Sequence, residues 1–76
     1  MEDIKMEYIN FNEAINHANN GYKLRRKKWL CNHITKLEKS GCRLNGKIVK
    51  GSIINGYSEY NPTEEDINAT DWFILD

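Results

Sequence analysis

The densest cluster of chemically useful side chains lies between Tyr22 and Trp29, in the segment YKLRRKKW. Five of its eight residues are basic, and the segment ends in an indole. A guanidinium beside an aromatic ring is a common means of holding the phosphate and the base of one ligand. Arg26 and Trp29 are therefore the first candidates for a site that binds a small anion. A solvated strand with basic side chains is the alternative that composition alone favours.

Polynucleotide binding is a third interpretation of this basic segment. Its lysines and arginines would contact phosphates, and Trp29 would serve as a stacking platform. The composition of the whole chain argues against it, because eleven basic and eleven acidic residues give a formal net charge of zero. Nucleic-acid-binding domains usually have a strongly basic composition, and no second basic cluster flanks this one. Polynucleotide binding is therefore disfavoured.

The sequence contains none of the common catalytic motifs, such as a P-loop, GxSxG, HExxH or GxGxxG. Asp66 and Asp71 could form a carboxylate pair, but Asp66 suits a helix cap and Asp71 a surface turn. Two cysteines and two histidines could in principle supply four zinc ligands. His17, however, lies in a probable helical segment, and Cys31 and His33 share one strand face. We therefore expect no enzymatic activity, no metal, no cofactor and ordinary free thiols.

The elements that must position the candidate residues begin with a helix. Apolar residues recur at the i, i+3, i+4 and i+7 spacing of one helix face, at Phe11, Ala14, Ile15 and Ala18. Asn10 is a favourable N-cap, and Glu13 completes a capping-box pattern. Gly21 suits the left-handed position that follows a helix end. The sequence therefore predicts a helix over residues 11–20.

Short apolar segments separated by turn signals follow this helix. Tyr22 and Leu24 alternate with basic residues, which is the period of a half-buried strand. Strict alternation places Arg26 on the face of Leu24, and places Trp29 on the opposite face unless a bulge intervenes. We expect an antiparallel meander over residues 30–58, of undetermined register, with turns at Ser40-Gly41, Asn45-Gly46 and Asn55-Gly56.

The C-terminal part of the chain predicts a short helical turn and a final strand. Thr63 follows Pro62 and has Asp66 three residues later, which is typical of a helix cap. Ile67 and Ala69 are expected to point inward, and DWFIL reads as a buried last strand. The fold class is therefore α+β, with one N-terminal helix on a small antiparallel sheet and a short helical turn before the last strand.

A chain of 76 residues predicts a single domain, with residues 1–8 as a leader or short strand and residues 9–76 as the folded part. Such a domain has a thin core and often depends on a partner subunit. The sequence has no apolar run long enough to span a bilayer and no secretion signal. We therefore expect a cytoplasmic protein.

Both ends of the chain resemble one family of small phage proteins. The opening FNEAINHANNGYKLRRKKW is similar to the family pattern F-x-E-A, then G-x-x-V-x-R-x-x-W, at Phe11, Glu13, Ala14, Gly21, Leu24, Arg26 and Trp29. The close is similar to an aromatic residue followed by D-(I/L)-x-A-x-D-W-x-(I/V), at Tyr60, Asp66, Ile67, Ala69, Asp71, Trp72 and Ile74. The family is the second type of Thoeris anti-defence proteins and their relatives.

This resemblance implies a non-enzymatic protein that binds the cyclic nucleotide signal of a bacterial defence system and holds it intact. The signals are cyclised ADP-ribose species and, in some relatives, cyclic oligonucleotides. The resemblance also implies a homo-oligomer, dimeric or tetrameric, in the host cytoplasm, with pockets between subunits. Trp29 is the main pocket residue carried over, and the further candidates are Arg26, Phe11, Tyr60, Asn61 and Asp71.

Direct inhibition of a host defence protein is the alternative function. The basic segment would be one contact surface. Residues 59–76 would be another, because they contain six acidic residues and no basic one. Such a protein would capture a host protein instead of a small molecule.

Overall fold

A computed structural model describes residues 7–75 of the chain. Its elements are α1 (Phe11–Asn19), β1 (Lys23–Arg26), β2 (His33–Lys36), β3 (Ile48–Ser52), β4 (Gly56–Glu59), α2 (Glu64–Asn68) and β5 (Trp72–Leu75). The strands form one antiparallel sheet in the order β4-β3-β2-β1-β5. The predicted α+β class, with a second short helix before the last strand, is confirmed. The leader predicted at residues 1–8 lies mostly outside the described residues.

Helix α1 forms where the apolar stripe and the cap predict it. The Asn10 side chain accepts a hydrogen bond from the Glu13 backbone N–H at 2.9 Å, which satisfies one free donor of the first turn. Gly21, at φ +96°, lets the chain reverse just after the helix. Ala14 and Ala18 are fully buried, and their small side chains bring the helix close to the sheet.

The core lies between α1 and one part of the sheet. Its buried residues are Ala14, Ala18, Leu24, Ile34, Tyr60 and Trp72. Helix α1 packs mainly against β1, β2 and β5. The helix-side face of β3 and β4 therefore extends beyond the centre of the core, and this part of the sheet can offer its side chains to a ligand.

Strand β1 ends at Arg26, and this changes the place of Trp29. Leu24 and Arg26 are both buried, as the predicted alternation requires. A turn then follows, in which the Trp29 N–H donates to the Arg26 carbonyl at 3.0 Å. Trp29 packs against the same core cluster as Leu24. The prediction that Trp29 lies on the opposite face or follows a bulge is wrong, because a turn replaces the strand at residues 27–28.

The predicted meander is confirmed in β2, β3 and β4. Asn55-Gly56 closes the β3–β4 hairpin, whereas Ser40-Gly41 and Asn45-Gly46 both lie inside the single connection from β2 to β3. Gly51 in β3 allows close approach of two strands. A Cβ at this position would overlap the Gly56 carbonyl oxygen and lie 2.8 Å from Tyr57 Cα.

Helix α2 has the predicted capping box. The Asp66 N–H donates to Thr63 Oγ1 at 3.1 Å, and the Thr63 N–H donates back to Asp66 Oδ2. Asp66 is the buried residue of this short helix. The prediction that Ile67 points inward is wrong, since its side chain is 51% exposed. Helix α2 is little more than one turn long and presents Asp66 to the core. Ile67, the next residue, is rotated by about 100° around the helix axis and so points away from the core.

Candidate functional site

A cleft of about 400 Å³ opens beside the β3–β4 hairpin. Its volume is in the range of small-molecule sites. Tyr60 forms part of its wall. The polar residues that line it are Asn32, Lys50, Asn55, Ser58, Glu59 and Asn61. Amides, a hydroxyl, one ammonium group and one carboxylate suit a polar ligand.

The strand register places Lys50 in this cleft. Lys50 pairs with Ile34 of β2 and with Ser58 of β4, so these three side chains share one face of the sheet. Ile34 is fully buried in the core, whereas Lys50 lies one strand further out and remains partly exposed. Its Nζ lies 4.2 Å from the centroid of the Trp29 ring, a cation–π contact. The indole therefore contacts a residue that lines the cleft.

Trp29 is held by two other aromatic side chains. Its ring meets Trp72 edge-on at a centroid distance of 5.0 Å and Tyr60 at 6.5 Å. Pairs in this geometry add stability beyond the area that they bury. Trp29 itself remains partly exposed. The indole is thus fixed in orientation, and Lys50 covers part of it.

Tyr60 contacts both the cleft and the interior. Its hydroxyl donates a hydrogen bond of 2.9 Å to Asp66 Oδ2. Burial and this hydrogen bond to a carboxylate raise the pKa of Tyr60 well above its ordinary value. The phenol therefore stays protonated and remains a donor to Asp66. Asn61, the next residue, is exposed and lines the cleft.

Arg26 is nearly buried and contacts Asp66, the residue that accepts the Tyr60 hydroxyl. Its Nε donates to Asp71 Oδ1 at 3.0 Å, and its Nη1 donates to Glu65 Oε1 at 3.0 Å and Asp66 Oδ1 at 3.1 Å. Burial alone would lower the pKa of Arg26, but hydrogen bonds to these three carboxylates raise it above its ordinary value. Lys28 also pairs with Glu65. The guanidinium is therefore engaged inside the fold.

The six residues predicted as site residues fall into three groups. Tyr60 and Asn61 line the cleft, and Trp29 contacts Tyr60 and Lys50 of its wall. Arg26 and Asp71 form an ion pair behind it. Phe11 packs on the Trp72 ring at a centroid distance of 5.9 Å. Whether each one contacts a ligand stays a prediction.

Lys50 is the main residue that sequence reasoning missed. The segment KIVKGS does contain a signal for it, because Ile48, Lys50 and Ser52 occupy alternate positions of one strand. A lysine between inward positions of a strand is unusual enough to suggest a role. The asparagines of the cleft lack such a signal, since they lie in loops whose positions depend on the sheet.

The opposite face of the sheet holds a second polar pair. The Tyr57 hydroxyl and His33 Nε2 lie 2.9 Å apart, and Tyr57 donates when the imidazole is neutral. Burial lowers the pKa of His33, and the charges of Lys23 and Arg25 lower it further. His33 is therefore kept neutral by its surroundings.

Metal and membrane features can be assessed within residues 7–75. In this part of the chain, His, Cys, Asp and Glu side chains form no group of three that could hold a metal ion. Cys31 is exposed and Cys42 is half-buried, and both are free thiols. The helices of the described segment are too short and too polar to cross a membrane.

Comparison with known families provides an independent observation. The model of the Tad2-like family, described as the Thoeris anti-defense 2-like domain, matches residues 9–75. A search of curated proteins gives no match. The family match includes both end segments, and with them Trp29, the Tyr60-Asn61 pair and the carboxylates around Arg26. It therefore places the molecule among phage anti-defence proteins: the chain belongs to the Tad2-like family, the Thoeris anti-defense 2-like domains.

Proposed function

We propose that the protein binds a cyclic nucleotide immune signal and sequesters it without cleaving it. The ligand is a cyclised ADP-ribose species or a cyclic oligonucleotide, and its removal from solution prevents activation of the host defence. The observation that carries this proposal is the Lys50 ammonium group, 4.2 Å from the Trp29 ring centroid, beside a cleft rich in amides. Family membership supports the anti-defence role.

Each part of the ligand has a matching group in the cleft. A base can stack on the Trp29 indole once the Lys50 side chain moves aside, and the ammonium group can then pair with a phosphate. Asn32, Asn55 and Asn61 each carry a donor and an acceptor that suit base edges and ribose hydroxyls. Glu59 also lines the cleft, but it pairs with Lys47 at 3.4 Å.

The proposal includes a homo-oligomer in which a neighbouring copy closes the cleft. Strand β4 is an edge of the sheet, and an edge strand offers free backbone groups to a second chain. Ile53 and Ile54, in the hairpin turn beside the cleft, are 86% and 90% exposed. A thin single-domain core also favours such association. The number of subunits is left open between two and four.

Calorimetric titration against a panel of cyclic nucleotides tests this function. We expect one or more members to bind, and to be recovered chemically intact after the complex is heated. Trp29→Ala should weaken binding by about 1–3 kcal/mol, the usual value of one stacked base. Lys50→Met should weaken it as well, whereas Lys39→Met, at an exposed lysine of the β2–β3 connection that does not line the cleft, is the matched control. Recovery of a cleaved ligand would refute sequestration.

Direct capture of a host protein is the second candidate function. It is favoured by the exposed apolar residues Leu30, Ile53 and Ile54, whose exposure ranges from 86% to 91%. Apolar side chains grouped at one end of a sheet are typical of interaction surfaces. A pull-down that retains one host protein after small molecules are removed, and loses it in Ile54→Asp, would support this function over sequestration.

A further inference from the structure

We infer that Arg26 and Asp66 are positioning residues that fix the orientation of Trp29, beside the cleft, through Tyr60 and Trp72. This inference rests on the proposed function where it concerns ligand binding. The claim that these residues orient the aromatic rings concerns the folded protein without a ligand. Neither residue is given a contact with the ligand, which differs from the interpretation of Arg26 that the sequence suggests.

The first argument is the set of partners of Asp66. Its side chain accepts the Tyr60 hydroxyl at 2.9 Å, and its backbone carbonyl accepts the Trp72 indole N–H at 3.2 Å. Tyr60 and Trp72 are the two rings that pack edge-on against Trp29. One residue of α2 therefore orients both neighbours of the indole beside the cleft.

The second argument is the way in which Arg26 holds Asp66. The guanidinium donates to Asp66 Oδ1, which leaves Oδ2 for Tyr60 and the Thr63 N–H. A fixed planar donor group of this kind sets the orientation of a carboxylate better than a flexible ammonium group does. Arg26 also reaches Asp71, just before β5. It thus joins β1, α2 and β5 behind the cleft.

The third argument is that this arrangement leaves Arg26 poorly suited to bind a phosphate. Three carboxylates surround it, and only 8% of its side chain is exposed. A ligand phosphate would have to displace one of these carboxylates and approach the other two. Lys28 is also paired with Glu65 at the surface, so a second cation of the basic segment already has a carboxylate partner in α2. Lys50 is the cation placed to meet a ligand.

Circular dichroism provides a test that needs no ligand. Two indoles whose centroids are 5.0 Å apart at an interplanar angle of 82° couple their electronic transitions, and the resulting couplet depends on their mutual orientation. Trp29→Phe leaves a single indole, so its spectrum serves as the baseline without the couplet. We expect Asp66→Asn and Tyr60→Phe to reduce the couplet at temperatures where both variants are folded.

The matched control is Val49→Ala, which creates a cavity at a fully buried residue outside the aromatic cluster. It should destabilise the protein and leave the couplet of the folded protein unchanged. If Tyr60→Phe and Asp66→Asn also leave the couplet unchanged, the positioning role is refuted. Tyr60→Phe keeps the test decisive if Asp66→Asn does not fold, because it removes one hydroxyl and retains the ring.

The ligand arm uses whichever cyclic nucleotide of the panel binds the unmodified protein. Tyr60→Phe should weaken the binding of this nucleotide by about tenfold. At metal sites, loss of a residue that orients a binding residue weakens affinity by at least about this factor. Val49→Ala should leave the affinity unchanged. An unchanged affinity in folded Tyr60→Phe overturns the link to binding. If the unmodified protein binds no cyclic nucleotide, the proposed function fails, and the couplet still decides the positioning role.

Discussion

Replacing Arg26 by Met should be among the most destabilising changes in the chain, because it removes the cation that pairs with the buried carboxylate of Asp66. The side chains of Arg26 and Asp66 are 8% and 7% exposed. Removing one partner of such a pair costs about 3–5 kcal/mol, since the other charge stays buried. Asp66 keeps its bonds from Tyr60 and Thr63, which favours the lower end of this range.

Loss of the other two carboxylate partners of Arg26 adds little to this loss of stability. Glu65 is 60% exposed and Asp71 30% exposed, so water can solvate both, and exposed pairs contribute about 0–1 kcal/mol. Met also retains most of the packing of the arginine stem. We therefore expect a loss of about 3 kcal/mol in the free energy of unfolding. This is a large share of the roughly 4–11 kcal/mol typical of a domain of this length.

Urea unfolding followed by tryptophan fluorescence measures this loss. Protein concentration must be held fixed, because association would also change the apparent stability. Lys47→Met is the matched control, since it breaks an exposed pair with Glu59 and should cost less than about 1 kcal/mol. A loss of less than about 1 kcal/mol in Arg26→Met would refute a central role for this ion cluster.

Two further predictions concern other parts of the sheet. Gly51→Ala should destabilise the β3–β4 hairpin by about 1–3 kcal/mol in urea unfolding, because its Cβ meets the backbone of Gly56 and Tyr57, which cannot move aside. Stability should fall as the pH drops below about 6.5, because the lowered pKa of His33 means that the unfolded chain binds a proton more readily than the fold does. His33→Gln should flatten this dependence, and an equal effect of the control His17→Gln would contradict the assignment.

Local sequence signals were sufficient for the elements that depend on neighbours in the chain. The caps at Asn10 and Thr63 act within three residues, and both form as predicted. The alternation of Leu24 and Arg26 likewise depends on strand geometry alone. These features could be predicted because their physical cause lies within a few residues.

The cleft could not be predicted in the same way. It depends on the pairing of β2, β3 and β4, which brings Asn32, Lys50 and Asn61 together from distant positions. The place of Trp29 depends on the end of β1, where the turn leads the chain back to the core. The predicted alternation extends through residues 27–28, where the strand has already ended, and it therefore places Trp29 on the wrong face of the sheet.

The charge distribution of the basic segment connects these findings. Arg26 pairs with Glu65 and Asp66 of α2 and with Asp71 just before β5, and Lys28 pairs with Glu65. The basic segment is thus paired with acidic residues from the other end of the chain. Lys23 and Arg25 lie on the face of His33, where they oppose its protonation. Much of the segment therefore stabilises the protein, but Arg26 is buried and ion-paired, which differs from the interpretation of a solvated strand. In the proposed function, the segment contributes to binding through Trp29, which contacts the Lys50 ammonium group of another strand.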